Sequence, residues 1–501
     1  MAVAQHGPSA VQEALSLPEI FAMILEAEEC SGENNCLVPI LNFHDLKNAM
    51  RVNRLWFEIA AEKIWADWGS IDWLFQVPPN RRQIYASKMA QVSITGLKPA
   101  IYHRQYKGLV FRKLRNISLE VYGKYELRHL EPYLVPSLQS FSFSYVPKFD
   151  SEALSCLQRK TPNLREISIS TARFNATLES FCRFIRHAPY LKSVTVSLFG
   201  GKTIAATTEL LSCLAQSRRL EILRLPWCWT EHVSQQVAAE TLHSDLLPFP
   251  QITEITLVAS SKAISKLVPL IVNIRQLVLI VKDSTVDVLA PVSRLQHLED
   301  LTIYYLQLNI IDVEALIKLG ALSRLSRLHL GPFPHETRIT LVQSEFSDHD
   351  CEALARRLPH LHHLRLRVQC NISTKAVEAF LRHCPNLRKC EMFRPLNTDN
   401  LFTAAPGILV FPQLATLNLK RLAGEEIMSR MTPEEFCDSF ESQFPGVKEM
   451  RLWYGTDAEH DYYEEAFSIW RSRREGRAWD SDGSSDSSQE ESDSSESMQN
   501  D

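Results

Sequence analysis

Apolar residues recur along this chain in the phrase L-x-x-L-x-L, often with a proline two positions ahead of the first leucine. Copies stand at Pro162–Ile169, Pro189–Val196, Pro359–Leu366 and Phe411–Leu419. Aligned on their first apolar residue, the anchors are Leu114, Leu138, Leu164, Leu191, Leu220, Ile252, Ile274, Leu298, Leu325, Leu361, Leu387, Leu414 and Val447. Their average spacing, about 28 residues, lies in the range of stacked repeats. Residues at anchor +3 and +5 are apolar and alternate with polar ones, as in Phe141/Phe143, Ile255/Leu257, Leu301/Ile303 and Met450/Leu452. That is the period of a strand with one buried face. Between these strands the apolar spacing turns helical, as at Leu178, Phe181 and Ile185, at Leu210, Leu211 and Leu214, and at Val377, Phe380 and Leu381. Strand, loop, helix and strand again predict an α/β fold, a coil whose strands form one parallel sheet. No unit buries its apolar face alone, so neighbours must stack. Twelve steps of roughly 4.8 Å give a strip on the order of 60 Å long.

The strand phase also predicts what faces a partner. With the anchor, +3 and +5 in the core, +2, +4 and +6 point out of the sheet. Early repeats place hydroxyls there: Ser140, Ser142, Ser144, Ser168, Ser170, Ser193, Thr195 and Ser197. Middle repeats place Val258, Val278, Ile280 and Tyr304 there. Late repeats place a basic set, Arg327, His329, His363, Arg365, Arg367, Lys389, Lys420 and Arg451. Glu391 and Glu449 interrupt this set, and Trp453 and Phe393 flank it. These late residues are the candidate partner-binding set. Arginine forks suit carboxylate and phosphate, so the expected ligand is an acidic or phosphorylated protein segment. The plainer alternative is a solvated strand face.

Composition narrows the classes. There are 54 basic and 59 acidic residues, a formal charge of −5. Asp480–Asp501 holds eight acids and no Lys or Arg; without it the chain carries +3. A body so near neutral lacks an overall nucleic-acid footprint. The most apolar stretch, Leu267–Val281, is interrupted by Asn273, Arg275 and Gln276 and is too short to span a membrane. Met1–Leu17 lacks the pattern of a secretory signal. Eleven cysteines without C-x-x-C spacing fit a reducing compartment, cytoplasmic or nuclear. Cys156, Cys182 and Cys213 fall in predicted helices as small buried thiols. No phosphate loop, nucleophile elbow or H-E-x-x-H motif occurs. His360, His362 and His363 are clustered, but His362 and His363 point to opposite faces of a strand. No cofactor, metal site or catalytic set is therefore expected.

Over residues of about 106–456 the chain resembles the leucine-rich-repeat family, through L-x-x-L-x-L. It departs at anchor +8, where the family's Asn or Cys is replaced by Ala172, Phe199, Leu306, Phe333, Pro395 and Leu422, with Cys228 the lone match. Intervals of 36 residues at Leu325–Leu361 and 33 at Leu414–Val447 predict bulging loops. Ahead of the repeats, Leu17-Pro18-Glu19-Ile20 opens an amphipathic stretch through Leu25, with Ser16 as its cap. A second stretch runs from Asp45 to Trp65, with Val52, Trp56 and Ile59 on one face. Leu-Pro-Glu-Ile followed by Val-x-x-x-Trp and a final Ile-Trp resembles an F-box, with the fungal F-box proteins the nearest in pattern. The resemblance implies docking on the Skp adaptor of Skp–cullin–F-box ubiquitin ligases. By position, Leu17, Pro18, Ile20, Leu25, Val52 and Trp56 would form the adaptor-facing or core set. An insertion, Glu26–Leu41, lengthens the module relative to that family. A helical cap on the first repeat is the alternative reading of this region.

The expected organisation is a disordered start at 1–14, the F-box-like module at 15–65 and a helical connector at 66–105. The repeats follow at 106–456, then a closing helix at 457–479 and a disordered acidic tail at 480–501. In that tail, Ser487 and Ser488 precede Glu490 and Glu491 by three residues, a pattern favoured by acidophilic kinases. The tail either solubilises the chain or competes with clients for the basic face. The functional expectation is a non-catalytic substrate receptor of a ubiquitin ligase. A ligase-independent repeat scaffold and a GTPase-activating repeat protein remain alternatives.

Overall fold

The computed structural model describes residues 43–67, 71–96, 106, 108–121, 130–146, 149–198, 204–242, 248–283, 287–333, 342–397, 413–423, 431–452 and 457–481. The chain divides into two units, Met1–Leu325 with Pro332–Leu341, and Ser326–Gly331 with Val342–Asp501. Each is a coil of stacked repeats made of parallel strands and intervening helices.

In the first unit the strands are β1 (Gln91–Gly96), β2 (Asn116–Val121), β3 (Ser140–Val146), β4 (Glu166–Thr171), β5 (Ser193–Leu198), β6 (Ile204–Ala205), β7 (Ile222–Trp229), β8 (Glu254–Ala259), β9 (Gln276–Val281), β10 (Asp300–Tyr305) and β11 (Asn309–Ile310). They pair in parallel in the order β1-β2-β3-β4-β5-β7-β8-β9-β10, with β6 beside β7. In the second unit they are β12 (Arg327–Pro332), β13 (Val342–Ser347), β14 (His363–Leu366), β15 (Gln369–Asn371), β16 (Lys389–Asn397), β17 (Thr416–Ala423) and β18 (Glu449–Leu452). Their order is β12-β14-β16-β17-β18, again parallel, while β13 pairs with β15.

Every predicted anchor from Leu114 to Val447 is buried. So are the +3 and +5 residues of most repeats, among them Ile167/Ile169, Val194/Val196, Leu328/Leu330 and Leu364/Leu366. A backbone stitch accompanies the steps within each unit. The carbonyl at anchor +1 accepts two N–H groups from the next repeat, as Arg165 O does from Lys192 N at 2.7 Å and Ser193 N at 3.0 Å. Arg388 O takes Ala415 N at 2.8 Å and Thr416 N at 3.0 Å in the same way. These bonds satisfy the main chain where strands enter the stack.

The helices begin where the sequence supplies a side-chain acceptor. Asp150, Thr177, Thr207, Ser260 and Asp312 each accept an N–H from the first turn that follows. Ser347 with Asp350 and Thr432 with Glu435 form reciprocal capping boxes. The predicted stripes face inward: Phe181 and Ile185, Leu210, Leu211 and Leu214, and Val377, Phe380 and Leu381 are buried. Cys156, Cys182 and Cys213 are buried free thiols in these helices. The long interval Leu325–Leu361 contains β13, which runs directly into the Asp348–Ala355 helix.

Three expectations need correction. Residues 66–105 include short helices at Trp73–Gln76 and Arg82–Ala86, but also β1, paired with β2 from Gln91↔Asn116 to Gly96↔Val121. Met89, Val92 and Ile94 are buried in the phase of anchor, +3 and +5, so β1 is a further repeat strand with methionine as its anchor. Second, the stretch Asp45–Trp65 is two helices, Phe43–Ala49 and Arg54–Asp67. Asn53 separates them and accepts Trp56 N on Oδ1 at 2.9 Å. Val52 therefore lies in the turn, 59% exposed, and shares no helical face with Trp56 and Ile59. Third, Val258 is buried instead of facing outward. The register between β7 and β8 shifts after Arg224↔Thr256, and Val258 pairs with Cys228. Among the described residues no helix is long and apolar enough to cross a membrane.

Candidate functional site

The Arg54–Asp67 helix turns Ala60, Ala61, Ile64 and Trp65 inward. Trp65 stacks on Tyr85 at 5.0 Å, Phe57 meets the same ring edge-on at 6.2 Å, and Trp65 meets Trp73 at 6.4 Å. Glu58 and Glu62 form ion pairs with Lys88 and Lys113. The helix is thus fastened to the start of the repeats, with Trp56 half-buried near its N-terminal end. Leu17, Pro18, Ile20 and Leu25 lie outside the described residues.

On the strand face of the first unit, register turns the predicted hydroxyls into rows. Ser93, Ser118, Ser142, Ser168 and Thr195 follow one another across β1 to β5. Ser93 and Ser118 extend the predicted set; their signal is the shared anchor +4 position. Arg224 of β7 interrupts the hydroxyls, its guanidinium paired with Glu254 of β8, and Thr256 of β8 follows it in the row.

The second unit gathers most of the predicted basic residues into two cross-strand rows. One runs Arg327, His363, Lys389, Thr416 and Glu449. The other runs His329, Arg365, Glu391, Asn418 and Arg451. Neighbours within a row stand roughly 4.8 Å apart, the spacing of paired strands. Arg327 and His363 are exposed, and His329, Arg365, Arg367 and Lys389 are half-buried. Arg367 follows β14 directly and donates its backbone N–H to Leu330 O at 2.8 Å. Gly331 lies against it: a Cβ there would sit 2.5 Å from the Arg367 Cβ. Lys420 lies in β17, two positions beyond Asn418. Trp453 lies outside the described residues.

Glu391, which interrupts the basic set in sequence, is its centre in space. The residue is 8% exposed. Its Oε2 is 2.7 Å from Arg365 Nε and its Oε1 is 2.9 Å from Lys389 Nζ. The signal for this contact was again a shared offset, since Arg365 and Glu391 both stand at anchor +4 of adjacent strands. Burial, followed by the charges of Arg365, Arg367 and Lys389, pushes the His329 imidazole down to about 3. Partial desolvation of its ring, then Arg327 and Lys389, also lowers His363. His329 is therefore neutral near pH 7, and the positive charge of these rows resides on arginine and lysine. Guanidinium and ammonium groups can bind carboxylate or phosphate, and here two of them hold the Glu391 carboxylate.

No family model matches the chain, and no curated protein matches it. Among solved structures it is similar to an internalin from Listeria monocytogenes, at 14% identity over 76% of this chain and 87% of that one, with a TM-score of 0.35. It is similar to a plant peptide hormone receptor, RGFR1 in complex with RGF2, at 11% identity over 77% of this chain and 55% of that one, with a TM-score of 0.34. It is also similar to a chain of the yeast Rad7 and Elc1 complex, at 13% identity over 90% of this chain and 96% of that one, with a TM-score of 0.35. With all three below 0.5, the repeat fold rests on this chain's own strands, registers and buried anchors.

Proposed function

We propose that this chain is the non-catalytic receptor subunit of a Skp–cullin–F-box ubiquitin ligase, working in the cytoplasm or nucleus. Residues 15–65 dock on the Skp adaptor through Leu17, Pro18, Ile20, Leu25, Val52 and Trp56. The repeats hold a client protein while another subunit transfers ubiquitin. The observation that carries the client half is the pair of registered rows around Arg365 and Lys389. Side chains that are distant in sequence meet there on one strand face and present charged donors to an acidic or phosphorylated segment. The ligase half is supported by the F-box-like pattern ahead of the repeats. It is also supported by the Arg54–Asp67 helix, which is fastened to the repeat body on one side and keeps Val52 exposed at its N-terminal approach.

Co-purification from cells with the tagged full-length chain tests both halves. The Skp adaptor should accompany the wild type and be lost from the triple variant Leu17→Ala, Pro18→Ala, Trp56→Ala. Truncating a central interface anchor commonly costs about 2 kcal/mol or more. Changing Arg365 and Arg367 to Glu should release clients and leave the adaptor bound. Clients without the adaptor would instead favour the ligase-independent scaffold.

A further inference from the structure

Glu391 gives the cationic rows an anion of their own. Both of its carboxylate oxygens are engaged, one by Arg365 and one by Lys389, and its side chain is 11% exposed. The two cations remain more open, at 38% and 43% side-chain exposure. We propose that Glu391 is a built-in competitor that makes this face select a phosphorylated protein segment over a carboxylate-bearing one. This rests on the reading of the face as a site for acidic segments.

A ligand carboxylate offers Arg365 and Lys389 what Glu391 already supplies, a single charge and two acceptor oxygens. If it displaces Glu391, a mostly buried carboxylate loses its cations, which is costly. If it binds alongside, Glu391 repels it, as it repels any anion, and a single charge with two acceptors has the fewer contacts with which to offset that. A phosphoryl group brings a charge of about −1.5 to −2 and three acceptor oxygens. It can therefore recruit more cations at once. Glu391 meets Arg365 at Nε, and a guanidinium has further N–H donors on its outer nitrogens. Arg367 follows two residues later, and its charge, with those of Arg365 and Lys389, reaches His329. The phosphoryl group thus has partners without evicting Glu391, and the internal acid sets a charge threshold for entry.

Two fluorescent nonapeptides of alanine and glycine test this, one with a central phosphoserine and the other with glutamate in its place. Their affinities for the full-length chain are compared by anisotropy at fixed salt. The wild type should prefer the phosphoserine peptide by about tenfold or more, as expected for one additional charge-assisted contact. Glu391→Gln should tighten the glutamate peptide more than the phosphoserine peptide and narrow that ratio. Glu391→Asp keeps the charge and should keep the preference, which distinguishes competition from a packing role. Equal affinities in the wild type, or an unchanged ratio in a folded Glu391→Gln variant, would overturn the inference and leave the acidic-segment reading standing. Binding of neither peptide to the wild type would overturn both.

Discussion

His329 sits among cations in a half-buried position, and its pH behaviour follows from that. Its folded value, near 3, lies below the ordinary imidazole value of about 6.5. The unfolded chain therefore binds the extra proton first. Stability contributed by the neutral imidazole is present above pH 6.5 and is lost as pH falls from there toward 3. Each pH unit in that window costs at most about 1.4 kcal/mol from this group. Urea unfolding at pH 7.5 and 5.0 should show a loss that is smaller in His329→Gln. Gly331 is a steric case beside it. A methyl group at that position collides with the Arg367 Cβ, so Gly331→Ala should cost roughly 1–3 kcal/mol. It should also weaken anionic ligands by shifting Arg367, as read by thermal melting and peptide anisotropy together.

At the scale of elements, the C-terminal helix Asp457–Ser481 depends on aromatic packing against the Pro433–Gln443 helix. Phe436 meets Tyr463 at 5.5 Å and Phe467 at 6.5 Å, and Phe440 meets Trp470 at 6.2 Å. Arg474 lies over the Trp470 ring at 4.9 Å. Trp470→Ala should cost about 3–5 kcal/mol. Limited proteolysis should then cut within 457–481 before the repeats are attacked. The sequence made these elements legible because L-x-x-L-x-L sets both strand period and phase, so buried and outward positions followed together. It failed at β1, where Met89 replaces the leucine anchor and no proline announces the strand. At Val258 a register shift moved a side chain inward, and the offset rule does not encode such shifts. At Val52 a continuous apolar spacing hid the turn capped by Asn53. Glu391 was legible in position but not in role. Its offset placed it beside Arg365, while the ion pairs with Arg365 and Lys389 depend on side-chain reach.

At the scale of the molecule, the proposed receptor has an F-box-like start at 15–65 and repeats whose late strands carry arginine and lysine outward. The proposed function assigns Leu17, Pro18 and Trp56 to adaptor docking and Arg365 and Arg367 to client capture, so mutation should separate the two halves. The most direct test is quantitative co-purification of the Skp adaptor and of clients with the full-length chain and both variant sets. The Leu17→Ala, Pro18→Ala, Trp56→Ala chain should lose the adaptor and keep its clients, and the Arg365→Glu, Arg367→Glu chain should do the reverse. An adaptor absent from the wild type, or clients unaffected by the arginine changes, would contradict the proposed function.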